Sequence, residues 1–405
     1  MLESLDQTFP DTQFYSPDDP VDQEVLYGLG CSQRAGEFAT RLGSHALVVT
    51  DSGIMAAGHP QKILKSLQSA GIQTHLFDGV MENPTDTSVR GCAAKFKSDK
   101  IDFIVGVGGG SSLDTAKGVN FILTNGGSMN DYWGVGKATI PLLPMIAIPT
   151  TGGTGSECQS YALISNDSNH RKMACGDPSA LPKITLLDPE LTCSQPFSVC
   201  AATGMDALAH ALESAVCTRR NASSHRHAKQ SFCLLAQNLE RVWMDPDNLE
   251  ARGKVLLGAA HAGAAIEKSM LGAAHALANP LTARKGTIHG QAVSLVLPGV
   301  LDFNKEGAGI LSIYAELARD AGLAPSGCGN EESFHLLLNK IINLRQQARL
   351  PERLSQVHCK LEDLTSLALE ASEQWTASFN PLPVQKDDLL AIYQSVDSYS
   401  VQKTR

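Results

Sequence analysis

The spacing of hydrophobic positions changes once along this chain. Between about residues 45 and 190, short aliphatic and β-branched runs at 46–50, 74–77, 101–106, 145–148 and 184–187 read as strands. Between them, the stretch 60–70 sets Ile63, Leu64 and Leu67 at helical spacing, and 87–97 does the same with Val89, Cys92, Ala93 and Phe96. Strands alternating with helices predict a parallel α/β sheet. After about residue 195 the strand signals stop, and amphipathic windows follow at 204–217, 224–243, 248–267, 290–303, 308–321, 333–347 and 386–396. The pattern therefore predicts an α/β domain over 1–195 and an all-α domain over 196–405, with the boundary at 194–198. The first 25 residues hold seven acids, three prolines and no basic residue, and read as a flexible or surface-draped arm.

Composition narrows the partners. A length of 405 residues exceeds one ordinary core, and a 43% hydrophobic share is too high for a disordered chain. A net charge of −9, with no stretch that gathers basic residues, excludes a nucleic-acid partner. No Lys or Arg precedes Arg34 and no apolar run reaches spanning length, so neither a secretory signal nor a membrane span is expected, and the protein is read as cytoplasmic. The ten cysteines contain no C-x-x-C pair and read as reduced, packed thiols.

Two kinds of chemistry then stand out. The run at 101–106 leads into Gly108, Gly109 and Gly110 and a Ser-capped helix, a junction where backbone can approach a phosphate and helix N–H groups can bind it. A second polar loop, Pro149-Thr-Thr-Gly-Gly-Thr-Gly-Ser-Glu157, follows the next strand, and Thr150, Thr151 and Thr154 offer hydroxyls to the same crevice. Asp51, at the end of the strand at 46–50, is placed to accept from a ribose diol and to repel a 2′-phosphate, which favours NAD; capping the following turn is its other reading. Further on, Asp206 and His210 lie four apart on one helix face, and His275 and His289 follow in Ala- and Gly-rich settings. One Asp with three His suits Fe(II), Zn(II) or a similar divalent ion.

Taken together, Gly108-Gly-Gly-Ser-Ser-Leu-Asp-Thr-Ala-Lys117, Ile148-Pro-Thr-Thr-Gly-Gly-Thr-Gly-Ser-Glu157, Asp188-Pro-Glu-Leu-Thr192, Gly204-Met-Asp-Ala-Leu-Ala-His210, and His275 followed 14 residues later by His289 resemble the iron-containing (group III) alcohol dehydrogenase family, over 26–395. The resemblance implies a dehydroquinate synthase-like fold, with a Rossmann-like N-terminal α/β domain for NAD(P), a C-terminal all-α domain for the metal and the substrate in the cleft between them. It makes Asp206, His210, His275 and His289 the metal ligands and so the catalytic centre. Gly109, Gly110, Ser111, Thr150 and Thr151 become part of the pyrophosphate and nicotinamide site, Asp51 faces the adenosine ribose, and Lys172 reaches the cofactor. A homodimer or larger homo-oligomer is implied as well.

The chain departs from the family pattern twice. Asn279 stands where relatives often carry a second, proton-relaying His, and an amide cannot titrate near neutrality. Arg284 and Lys285 lie between the last two ligands, which suggests an anionic aldehyde or ketone as substrate if either side chain reaches the site. The leading expectation is a metal-dependent oxidoreductase moving hydride between NAD(H) and a small alcohol or aldehyde. An NAD- and metal-dependent lyase of the dehydroquinate synthase type and a non-catalytic cofactor-binding scaffold are the alternatives.

Overall fold

The computed structural model describes residues 14, 15, 21–168 and 171–400. Backbone packing divides the chain into two compact units, Met1–Gln195 and Pro196–Arg405.

The first unit is built on strands β1 (Glu24–Tyr27), β2 (His45–Val49), β3 (Gln73–Phe77), β4 (Phe103–Gly108), β5 (Gly134–Val135), β6 (Met145–Pro149), β7 (Tyr161–Ser165), β8 (Lys172–Gly176) and β9 (Ile184–Leu187). Its helices are α1 (Ala35–Ala39), α2 (Ser52–Ala56), α3 (His59–Ser69), α4 (Asp86–Phe96) and α5 (Gly110–Asn125). Six strands form one sheet in the order β1-β9-β6-β4-β2-β3, with every pairing parallel. Strands β4 and β6 are buried throughout, as central parallel strands covered on both faces must be. The two-residue period divides the side chains of β2, β4 and β6 between two cores. Leu47, Val49, Ile104, Met145 and Ala147 pack with Val89, Phe96, Leu113 and Val119 of α4 and α5. Ala46, Val48, Phe103, Val105, Ile146 and Ile148 pack instead with Phe38, Ile63 and Leu67 of α1 and α3.

Two features of this unit depart from the sequence reading. β1 begins at Glu24, and Gln23 beside it is buried with its amide donating to Glu157 O and Thr185 Oγ1, so the end of the expected arm is part of the sheet. Apart from Phe14 and Tyr15, residues 1–20 lie outside the described residues. A second sheet, β5-β8-β7, contains an antiparallel pair that the alternation of strands and helices did not predict.

The second unit is helical, with no strand among its described residues. It comprises α6 (Phe197–Val216), α7 (Ala222–Met244), α8 (Leu249–Lys268), α9 (Ala273–Lys285), α10 (His289–Asn304), α11 (Ile310–Asp320), α12 (Asn330–Gln347), α13 (Leu364–Ser372) and α14 (Lys386–Ser395) around one core. Helix α9 escapes the pattern reading because its residues 273–278 are all buried, which erases the amphipathic stripe, and because Pro280 lies inside it. The proline lacks the N–H that would bond the Ala276 carbonyl, and the neighbouring Leu277 carbonyl accepts the buried Tyr393 hydroxyl at 2.5 Å. Among the described residues no helix is long and apolar enough to cross a membrane.

Asp102 fastens the start of β2 to the entry of β4. Its Oδ2 accepts from the Ser44 and His45 N–H groups at 2.8 and 3.0 Å and from the Ser44 hydroxyl at 3.1 Å. The Ser44 N–H above all pulls this carboxyl down to about 2. A folded-state value below the unfolded one stabilises above pH ~4 and is lost as pH falls through about 2. Asp102→Asn should therefore cost about 1 kcal/mol near neutrality, the group being a quarter exposed, with the cost fading as pH falls through about 2, read from urea denaturation across pH.

Candidate metal centre and cofactor cradle

Helix α6 presents Asp206 and His210 one turn apart, α9 contributes His275 in its first turn, and α10 begins with His289. All three imidazoles gather around one carboxylate oxygen. From Asp206 Oδ1, the Nε2 atoms of His275, His210 and His289 lie 3.4, 3.6 and 3.8 Å away. Asp206, His210 and His275 are buried, with possible ligand atoms all within 4.8 Å of one another, while the His289 side chain is 22% exposed. The His210 and His275 rings stack at 4.8 Å.

Two local features make this gathering possible. Alanines 201, 202, 207, 209 and 211 keep α6 slim and apolar. Gly290 lets the start of α10 press onto it, for a Cβ there would meet the Ala202 carbonyl oxygen at 2.1 Å.

The donor set fits a divalent ion. Neither Asp206 Oδ1 nor His275 Nε2 has a hydrogen-bond partner among the described residues, although both are buried. Ligand atoms sharing an ion at about 2.0–2.2 Å in a tetrahedral array stand roughly 3.3–3.6 Å apart, close to the separations seen. Burial would raise the Asp206 carboxyl, but His210, His289 and His275 hold it far below the carboxylate range. Burial likewise pulls His275 down, yet the carboxylates of Glu213 and Asp206 keep it at about 9. The cluster attracts positive charge.

Around His275 lies a carboxylate that the sequence reading passed over. Glu213 Oε2 is 2.5 Å from His275 Nδ1, and its Oε1 accepts the Ala274 N–H at 2.6 Å. The signal was available in the i, i+3 spacing from His210, but such a pair is common on helices.

In the first unit, β4 runs into Gly108, whose φ of +145° few side chains tolerate. Helix α5 starts at Gly110 with Gly109 as its N-cap and no side-chain cap, correcting the expected Ser cap. The loop after β6 closes over this turn. A Cβ on Gly109 would meet Thr151 at 3.2 Å, and one on Gly110 would meet Thr154 at 2.7 Å. The two loops thus converge. The Thr150 N–H donates to the Gly108 carbonyl at 3.0 Å, and its buried Oγ1 has no partner among the described residues, a polar atom suited to a ligand. Ser111 Oγ accepts from the Asn83 N–H at 3.3 Å. Asp51 caps α2 through the Ile54 N–H at 2.9 Å, and its other oxygen accepts from Ser112 Oγ at 3.0 Å, tying the end of β2 to α5.

What holds the loops together is Lys117, also missed in the sequence. Its buried ammonium donates to the carbonyls of Ser156, Gln159 and Tyr161 at 2.6, 2.7 and 3.0 Å and to Ser156 Oγ at 2.9 Å. Ser156 Oγ in turn donates to Asp114 at 2.7 Å. Burial raises the Asp114 carboxyl against the opposing charges of Lys117 and Lys172, so Lys172, which opens β8, belongs to the same electrostatic cluster. Burial also lifts Glu157 to about 7.

The remaining candidates sit at the surface of α9. Arg284 pairs through two nitrogens with Glu370, and Lys285 Nζ lies 2.6 Å from Asp363. Each cation thus has a carboxylate partner within its own unit. Asn279 Nδ2 donates to Gln374 Oε1 at 3.1 Å.

Comparison with known proteins agrees with this geometry. Residues 22–189 match the profile of iron-containing alcohol dehydrogenase, and residues 200–396 that of the Fe-containing alcohol dehydrogenase family, C-terminal. The chain belongs to the iron-containing alcohol dehydrogenase family. The enzyme is 33% identical to alcohol dehydrogenase 4 of Schizosaccharomyces pombe, over 96% of its own chain and 90% of the relative. It is 30% identical to NAD-dependent methanol dehydrogenase of Bacillus methanolicus, over 95% and 99%. The crystal structure of a 1,3-propanediol oxidoreductase superposes with a TM-score of 0.88 at 32% identity, covering 92% of this chain and 97% of that one. Membership makes the enzyme an alcohol or aldehyde oxidoreductase and sets aside the lyase and scaffold alternatives.

Lys117→Met keeps the volume but leaves the carbonyls of Ser156, Gln159 and Tyr161 without their ammonium donor. It should destabilise the protein by about 3 kcal/mol, measured by chemical denaturation.

Proposed function

We propose that this oxidoreductase moves hydride between NAD(H) and a small alcohol or aldehyde, with a divalent ion, Fe(II) or alternatively Zn(II), held by Asp206, His210, His275 and His289. The observation that supports it most is the buried Asp206 oxygen ringed by three imidazole nitrogens at 3.4–3.8 Å. The ion supplies a Lewis acid for the substrate oxygen, and the nicotinamide supplies or accepts the hydride.

The chain's own residues do the rest. Asp206 and the imidazoles fix charge and direction at the centre. Gly108, Gly109, Gly110 and Ser111 offer a close backbone and a helix N-terminus to the pyrophosphate, and Thr150, Thr151 and Thr154 offer hydroxyls beside it. Asp51 serves the adenosine ribose with its carboxylate and disfavours a 2′-phosphate, while also capping α2. Lys172 brings a positive charge toward the cofactor. Asn279 holds Gln374 and does not titrate, so the reaction's proton leaves by the cofactor ribose, water or another group. The paired states of Arg284 and Lys285 favour a neutral substrate.

We also read the enzyme as cytoplasmic and as a homodimer or larger homo-oligomer. Its ten unbridged cysteines suit a reducing compartment, and light scattering tests the assembly.

Protein purified without oxygen and loaded with Fe(II) should oxidise NADH with small neutral aldehydes. Activity should vanish on chelation, return with Fe(II), and fall at least about 1,000-fold in His210→Ala. Absence of net NADH turnover with every aldehyde tested, in freshly loaded protein, would defeat the proposal. Replacing Arg284 and Lys285 together with Ala should change KM for matched neutral and anionic aldehydes alike; a selective rise for the anionic set would restore these residues to substrate recognition.

A further inference from the structure

Glu213 is 3% exposed and engaged at both carboxylate oxygens. It stands on α6 one turn beyond His210 and two beyond Asp206, and it reaches across to α9, the helix that carries His275. Helix α9 lacks a side-chain cap of its own. Its first N–H groups are met from other elements, Ala273 by Asn380 Oδ1 at 3.2 Å and Ala274 by Glu213 Oε1 at 2.6 Å. A carboxylate at that terminus is favoured by the helix dipole and is held in one orientation. Its second oxygen faces His275 Nδ1 at 2.5 Å.

An ionised carboxylate only accepts hydrogen bonds, so the imidazole must carry its proton on Nδ1. Nε2, 3.4 Å from Asp206 Oδ1, is then the nitrogen left to bind a cation. We infer that Glu213 is a positioning residue of the metal centre: it fixes the tautomer and ring direction of His275 and locks α9 to α6, without itself being a ligand. This rests on the reading of the four-residue cluster as a metal site.

The residue type is demanding. Glutamine has one accepting oxygen where Glu213 uses two. If that oxygen keeps the Ala274 N–H, the amide nitrogen donates to Nδ1 and shifts the imidazole proton to Nε2, closing the ligand position. Aspartate keeps the charge but falls short by one methylene. Loss of such an outer partner commonly weakens metal affinity about 10- to 100-fold.

The test uses full-length protein stripped of metal and titrated with Co(II) and with Zn(II), following the visible Co(II) bands and competition with a chromophoric chelator. Glu213→Gln should bind both ions about 10- to 100-fold more weakly with altered Co(II) bands, and Glu213→Asp should fall between it and the unaltered protein. Thermal melting of the metal-free forms identifies variants that remain folded. Should Glu213→Gln fail to fold, Glu213→Asp decides, weaker binding supporting the inference and unchanged binding overturning it. Binding within twofold of the unaltered protein by folded Glu213→Gln, with unchanged bands, would overturn the role of Glu213 and leave the metal site standing. If the unaltered protein bound neither ion, the metal-site reading would fall, and this inference with it.

Discussion

A carboxylate buried in an apolar helical core is tolerated only where positive charge or hydrogen bonds surround it, and Asp206 imposes that condition on the whole second unit. Three helices have to bring imidazoles to a single oxygen. The slim alanine face of α6 and the close approach at Gly290 follow from this, because bulkier residues would hold α10 and its leading His289 away. The proline inside α9 is accommodated for a related reason: burial of residues 273–278 supplies the stability that its broken ladder lacks, and Tyr393 adds a bond to the Leu277 carbonyl.

The first unit treats a buried charge differently. Lys117 is surrounded mainly by backbone carbonyls of the loop after β6, so one cation on α5 organises a segment with little regular structure of its own. That loop carries Thr150, Thr151 and Thr154 to the turn at Gly108–Gly110, where small residues permit the backbones to meet. In one unit charge gathers side chains around a point, and in the other it freezes a loop against a helix. Both arrangements are costly to disturb, since removing one partner strands several buried polar groups.

Surface charge follows another rule. Arg284 and Lys285 look conspicuous in a sequence, lying between two candidate ligands, yet the nearby carboxylates of Glu370 and Asp363 absorb them. Long flexible side chains at a helix end take the nearest available partner, and sequence proximity to a site carries little information about where their charged ends go.

The sequence by itself determined the two-part architecture, five of the six strands of the large sheet, most long helices, and the residues that meet at Asp206. These are local or periodic properties: strand burial on both faces produces continuous apolar runs, an i, i+4 pair shares a helix face, and glycine clusters mark tight turns. Tertiary structure alone decided the rest. Strand β1 owes its extended form to β9, a partner distant in the chain, the β7–β8 pair is a local hairpin outside the strand–helix alternation, and α9 owes its helix to burial that hides its period. The hydrogen bond between His275 and Glu213 and the contacts of the Lys117 ammonium join segments 39 to 62 residues apart, and the ion pairs of Arg284 and Lys285 span about 80. Hydrogen bonds and ion pairs have reach of only a few ångströms in space and no preferred spacing in sequence, so nothing short of the folded chain reveals which groups they join.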